Sequence, residues 1–248
     1  MSSSTAAPLA ANLLVNGDAE AGGAPDDQGV VPPDGWTTTG AFTSVVYGGN
    51  GLPEAGEAPP GGGQYLFAGG PRSAESTATQ LISLSPRATA IDAGRVQATL
   101  TGYLGGWRSQ TDAASVRAEL LNAAGTPRTV ISLGQVGPGA RGSATGFVYR
   151  HASVQVPAGA RSVRVTITAT RASGAYNDGY ADELSLTLGR ARAPATHLDL
   201  ILFKKQFQVT AKDIDRCIQW DACTIANWCH REDLQQGRLP APRHEPEP

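Results

Sequence analysis

Cysteine and lysine are absent from the first 196 residues of this 248-residue chain. All three cysteines (Cys217, Cys223, Cys229) and all three lysines (Lys204, Lys205, Lys212) lie beyond that point. Lack of cysteine excludes a disulfide framework for the long N-terminal part and leaves its compartment open. A charge excess is missing as well: thirteen arginines face fourteen acidic residues up to Thr196, and seven basic residues face eight acidic ones after it. Neither part has the basic surplus that binding a phosphate backbone requires, which excludes nucleic acid as a partner. No apolar run approaches the length of a membrane span. Aromatics are sparse, at 6%.

Catalytic signals are equally thin. The N-terminal part has one histidine, His151, and no Gly-x-Ser-x-Gly elbow, His-Glu-x-x-His pair or phosphate loop. Two carboxylates converging from distant strands could still hydrolyse a glycosidic bond. The acids, however, fall mainly in turns and termini (Asp26, Asp27, Asp34, Glu54, Glu57, Asp112).

What the chain does have is alternation. Apolar residues recur at period two, as half-buried strands require: Val96, Ala98, Leu100 and Leu104 in 95–107; Val116, Ala118 and Leu120 in 115–121; Val163, Val165, Ile167 and Ala169 in 161–170; Leu184, Leu186 and Leu188 in the last stretch. Further strands are predicted near 13–16, 41–47, 64–68, 77–84, 129–133 and 147–156, and only Ala88 to Ala93 suggests a helical turn. Thirty glycines and seventeen prolines punctuate these runs. Many short strands between Gly/Pro turns predict an all-β sandwich of two sheets. Trp36, after Asp34-Gly35, reads as a core residue.

The composition switch sets the domain plan: a disordered N-terminal segment over 1–11, one domain over 12–189, a linker over 190–196 (Arg190-Ala191-Arg192-Ala193-Pro194-Ala195-Thr196) and a tail over 197–248. Residues 210–236 of the tail read as one amphipathic helix, capped by Thr210 and ended by Gly237 and Pro240, with a disordered end after Arg238. On such a helix the cysteines, six residues apart, diverge and cannot close on one zinc ion. The tail is either a partner-binding helix or a fusion or frame artefact.

Two segments some 160 residues apart, Asn12-Leu13-Leu14-Val15-Asn16-Gly17-Asp18-Ala19-Glu20 and Tyr176-Asn177-Asp178-Gly179-Tyr180-Ala181-Asp182-Glu183-Leu184-Ser185-Leu186-Thr187-Leu188, resemble the opening and closing strands of the cellulose-binding CenC-like carbohydrate-binding modules, galactose-binding-like jelly rolls. Trp36 fits the tryptophan those modules place about fifteen residues after the opening glutamate. The resemblance covers roughly 12–188. It implies a jelly-roll sandwich, a polysaccharide or glycan partner, an extracellular setting and a structural calcium ion. Residues 1–11 show no basic or apolar leader; their small residues look like the stretch after a cleavage site.

Calcium takes six to eight oxygens from carboxylates and carbonyls. The positions matching the resemblance are Glu20 and Asp182, with oxygens from near Asn16 and Asp18. Asp182 shares parity with Leu184, Leu186 and Leu188 and is expected to point inward, where a carboxylate needs a partner. The alternative is an arginine partner or backbone amides in the turn. For the ligand, the parity opposite the core in 95–107 reads Arg95, Gln97, Thr99, Thr101, Tyr103, Trp107, and one parity of 147–155 reads Phe147, Tyr149, His151, Ser153, Gln155. Rings for the apolar faces of sugars and planar polar groups for their hydroxyls are both present, so Arg95, Gln97, Tyr103, Trp107, Tyr149 and His151 are the candidate ligand residues. Trp107 could instead lie in a turn, and Phe147 and Tyr149 could fill a second layer of the sandwich. The expected function is a non-catalytic carbohydrate-binding module. A protein-recognising adhesion sandwich is the alternative, and a glycoside hydrolase a distant third.

Overall fold

The computed structural model of the chain describes residues 11–25 and 29–191. The expectations for residues 1–10 and for the tail, including its helix, lie outside these. The described part contains β1 (Thr37–Thr39), β2 (Thr43–Val46), β3 (Tyr65–Pro71), β4 (Glu75–Ser83), a short helix α1 (Ala88–Asp92), β5 (Val96–Gly106), β6 (Ala113–Asn122), β7 (Pro127–Leu133), β8 (Gly146–Gln155), β9 (Ala160–Thr170) and β10 (Tyr176–Arg190).

The strands form two five-stranded antiparallel sheets, ordered β1-β4-β9-β6-β7 and β2-β3-β10-β5-β8. The chain passes repeatedly from one sheet to the other, the wiring of a jelly-roll sandwich. Period-two patterning decides which face is buried. Val116, Ala118 and Leu120 on β6 lie opposite Ile167, Val165 and Val163 on β9. In the second sheet Leu100 and Ala98 on β5 lie opposite Leu186 and Leu188 on β10. These rows, with Phe42, Phe67 and Trp36, make one core between the sheets. Trp36 is 8% exposed there, and its indole N–H donates to the Asn16 carbonyl at 3.0 Å.

The opening segment differs from its expectation. Residues 13–16 form no strand; they run as a bend and turn, docked by side chains. Asn12 donates to the Leu184 carbonyl (3.0 Å) and accepts from the Leu186 N–H (2.9 Å), standing in for a strand neighbour of β10. Gln80, facing the core from β4, accepts from the Val15 N–H and donates to its carbonyl. These side-chain amides add to two backbone bonds with β10, from the Leu13 N–H to the Leu186 carbonyl and from the Leu184 N–H to the Gly17 carbonyl, both 2.8 Å. Together these bonds hold the two motifs side by side.

A second, smaller apolar cluster lies on the other face of the β2-β3-β10-β5-β8 sheet: Val45, Tyr47, Leu52, Leu66, Ala68 and Tyr180, with Ala58, Trp107, Phe147 and Tyr176 packed against it. The 48–63 loop supplies Leu52 and Ala58 and covers this part of the face. The remainder, over β5 and β8, is left uncovered by the described residues.

Candidate functional site

The open face is built by the pairing of β5 with β8. Side chains opposite the core residues meet as Gln97 with Gln155, Thr99 with Ser153, Thr101 with His151, and Tyr103 with Tyr149. Directly opposed residues share a face, so two strands of alternating sequence put every ring and amide on one side. Tyr103 and Tyr149 have ring centroids 5.3 Å apart, tilted by 58°; Tyr149 and His151 follow at 6.0 Å, nearly parallel at 23°. Tyr149 is 49% exposed and His151 is exposed. The row continues into the covered part through Phe147, whose ring lies 6.2 Å from both Tyr47 and Tyr180. At the other end Gln97 is half-buried and Arg95, just before β5, is exposed. Six residues of strand separate Gln97 from Tyr103, about 20 Å at the rise of an antiparallel strand. Rings at one end and amides at the other make an elongated surface suited to a chain-like ligand.

Trp107 sits differently. It follows the last residue of β5 and opens a turn closed by the Gln110 N–H donating to its carbonyl, at 2.9 Å. The indole is half-buried against the second cluster, and the Arg108 guanidinium lies over it, 4.9 Å from the ring centroid. It extends the aromatic row at its end. It is not a bare platform.

The acidic group lies next to the covered part of the same sheet. Asp182 is wholly buried, but the parity argument chose the wrong face. The register of β10 against β5 shifts between Asp182 and Ser185, where Glu183 adopts φ 50°. This bulge puts Leu184 on the core face and leaves Asp182 opposite Tyr103, on the outer face. There it accepts hydrogen bonds from the Tyr47 hydroxyl (2.7 Å) and the Glu183 N–H (2.7 Å). Among the described residues no arginine pairs with it. Burial, together with the neighbouring Glu183 and Glu20 carboxylates, pushes the Asp182 carboxyl up to about 8 despite those two hydrogen bonds. Glu183 is also raised, by burial and then by Asp18 and Glu20, and burial raises Tyr47.

Glu20 accepts from two successive backbone N–H groups, Gln64 (2.8 Å) and Tyr65 (2.7 Å). The Pro59-Pro60-Gly61-Gly62-Gly63 loop is laid directly on these acids. A Cβ on Gly63, whose φ is +56°, would collide with the Glu20 carboxylate, and one on Gly62 would lie 2.8 Å from the Asp182 Oδ2 atom. Only glycine lets backbone approach so closely. Asn16 is engaged inside the opening loop, donating to the Ala21 and Asp34 carbonyls and accepting from the Ala21 N–H. Asp18 accepts from the Glu20 N–H at 3.5 Å. Among the described residues no three His, Cys, Asp or Glu side chains converge as a metal cluster. A cation here would draw on Glu20 and Asp182 together with backbone carbonyls, oxygen donors of the hard kind that calcium takes.

Two other buried acids belong to the fold. Asp112 accepts from the Ala172, Ser173 and Asp178 N–H groups, and Asp178 accepts from the Tyr180 hydroxyl at 2.5 Å. Among the described residues, none of these three buried aspartates is presented to the open face.

Sequence reading missed Tyr47, Tyr180, Glu183 and the glycine loop. Tyr47 and the loop carry no periodic signal and join the site only through tertiary packing. Glu183 stood in the closing motif, but its bulge is invisible to a parity count.

No family model matches the chain, and no curated protein matches it. Solved structures with related folds include a family 16 carbohydrate-binding module (18% identity over 71% of this chain and 99% of that one, TM-score 0.44) and a family 61 module in complex with β-1,4-galactotriose (14%, 73% and 99%, TM-score 0.39). A tailspike enzymatic domain of bacteriophage CBA120 (16% identity, TM-score 0.41) is matched over 73% of this chain, which spans 21% of that domain. All three lie below a TM-score of 0.5. No helix among the described residues is long and apolar enough to cross a membrane.

Proposed function

We propose that this chain is a non-catalytic carbohydrate-binding module whose ligand lies along the open β5–β8 face, with a structural calcium ion between Glu20 and Asp182, and that it works in an extracellular setting. One observation carries the reading: Tyr103, Tyr149 and His151 form a contiguous ring row on a sheet face otherwise lined by Thr, Ser and Gln. Rings cover the apolar faces of pyranose units, and the amides and hydroxyls reach their hydroxyl groups. The ligand contacts are neutral, so affinity is nearly independent of salt. Calcium, when bound, supplies the positive charge that the buried Asp182 lacks and ties the opening segment, the glycine loop and β10 together. Its role is in stability and it takes no part in chemistry.

The test is a calorimetric titration with soluble xylan, β-1,4-galactan and mixed-linkage β-glucan, preceded by a glycan array. Binding to at least one glycan, lost in Tyr149→Ala, is the expected result. A chain that binds a protein surface and no glycan on the array overturns the reading in favour of an adhesion sandwich.

A further inference from the structure

One side chain in the region beside the aromatic row is committed to loop geometry alone. Arg141 lies in the turn that leads into β8. Its Nη1 donates to the carbonyls of Gly106 (2.8 Å), Arg108 (3.0 Å) and Ala144, and its Nη2 donates to that of Gln110 (3.2 Å). Three of these four carbonyls belong to the 106–110 segment, which carries Trp107; the fourth belongs to the loop that delivers Phe147 and Tyr149. The Arg108 N–H, donating to the Thr145 hydroxyl at 3.1 Å, adds a second tie between the two loops. The ion pairs among the described residues are Arg117–Glu119, Arg161–Asp92 and Arg164–Glu119, and Arg141 is in none of them. Its guanidinium is partly desolvated, which lowers its proton affinity. A planar fork with five N–H donors can bridge several fixed carbonyls at once, whereas an ammonium cannot reproduce that geometry.

The segment so held is not self-supporting. Arg108 adopts φ 43°, a left-handed conformation that a non-glycine residue keeps only when its surroundings enforce it. Gly106 is packed so tightly that a Cβ there would lie 2.9 Å from the Asp112 carbonyl oxygen and 3.0 Å from the Arg141 Nη2 atom. The clamp therefore needs both an arginine at 141 and a bare backbone at 106.

We propose that Arg141 is a positioning residue for glycan binding: it locks the 106–110 turn so that Trp107 stands at the end of the Tyr103–Tyr149–His151 row, joining the β5 and β8 contributions into one pre-organised surface. This rests on the reading of the open face as a glycan site. Holding the ring in its bound place removes an ordering cost that binding would otherwise carry.

The test uses the full chain and three variants, Arg141→Lys, Arg141→Leu and Gly106→Ala. The Trp107 indole N–H resonance, assigned by its loss in Trp107→Phe, is followed by ¹⁵N relaxation without ligand. Affinity for xylan, β-1,4-galactan and mixed-linkage β-glucan is measured by calorimetry well below each variant's melting temperature. The expected result is a marked rise in fast motion of the Trp107 indole in all three variants, with no such change at the core indole of Trp36, and an affinity loss of about tenfold or more. A Trp107 indole as rigid in Arg141→Lys as in the unaltered chain overturns the proposal. So does a mobile ring with affinity held within about twofold. If the unaltered chain binds none of the three glycans, the glycan reading fails for these ligands, while the relaxation result still decides whether Arg141 holds the ring.

Discussion

At the scale of single residues, the two most prominent rings of the open face separate binding from folding. Tyr149 is half exposed and its backbone is held in β8. Tyr149→Ala is predicted to weaken glycan binding by about tenfold or more, as an exposed anchor does, while moving the melting temperature by no more than about 2 °C. Trp107→Ala is predicted to lower both, because the indole also packs on the second apolar cluster; a thermal melt beside the titration distinguishes them. Asp178 gives a pH signature. Burial pushes its carboxyl up to about 6, against the opposing hydrogen bond from Tyr180. An acid whose folded pKa is raised favours the folded state most fully below its ordinary pKa, and that contribution is lost as pH rises through the folded value. Stability is therefore predicted to fall between about pH 4 and pH 6 by at most about 3 kcal/mol from this group. Urea unfolding across that range, repeated with Asp178→Asn, checks it: the variant should lack this part of the slope.

At the scale of elements, legibility followed the strength of alternation. β5, β6, β9 and the latter part of β10 could be read because Val, Leu, Ile and Ala alternate there with Thr, Ser, Arg and Gln, and the same parity placed Tyr103 and Tyr149 on one face before any pairing was known. β1 (Thr37–Thr39) could not, since three consecutive threonines carry no inside and outside. The opening segment was expected to be a strand, but it makes only two isolated backbone bonds with β10, and the Asn12 and Gln80 side chains, which no periodicity encodes, supply the other ties. Asp182 shows the sharpest limit. The acid stands in the closing motif, yet one bulge residue, Glu183, reverses its face and replaces the core by Tyr47 and a glycine loop as its cover. The element-scale prediction concerns the docking amide: Asn12→Ala removes two hydrogen bonds to β10 and should cost roughly 1–3 kcal/mol in urea unfolding, with the secondary-structure content of the folded state unchanged.

At the scale of the whole molecule, calcium and the tail can be tested independently of any sugar. A ligand that binds only the folded state stabilises it by about 2.7 kcal/mol at a hundredfold excess over its Kd, which for a domain of this size is roughly 5–10 °C in melting temperature. Chelation of the calcium-loaded protein should lower the melting temperature by that amount, and Asp182→Ala should abolish the sensitivity. On the proposal that the abrupt arrival of lysine and cysteine beyond Thr196 reflects a segment of separate origin, a chain ended near Arg190 should keep the melting temperature of the full chain. Aggregation of the shortened chain would show instead that the tail covers part of the sandwich.

The two sheets present different outer faces. That of the β1-β4-β9 side is a row of threonines, Thr37 opposite Thr79 and Thr79 opposite Thr166, without a ring among them. That of the β5–β8 side carries the aromatic row. Chemical-shift mapping during titration with whichever of xylan, β-1,4-galactan and mixed-linkage β-glucan binds most tightly tests the central claim most directly. Perturbations centred on Tyr103, Trp107, Tyr149 and His151, and fading toward Gln97 and Arg95, are the predicted result. Perturbations confined to Thr37, Thr79 and Thr166, or no change on either face at saturating glycan, would contradict it.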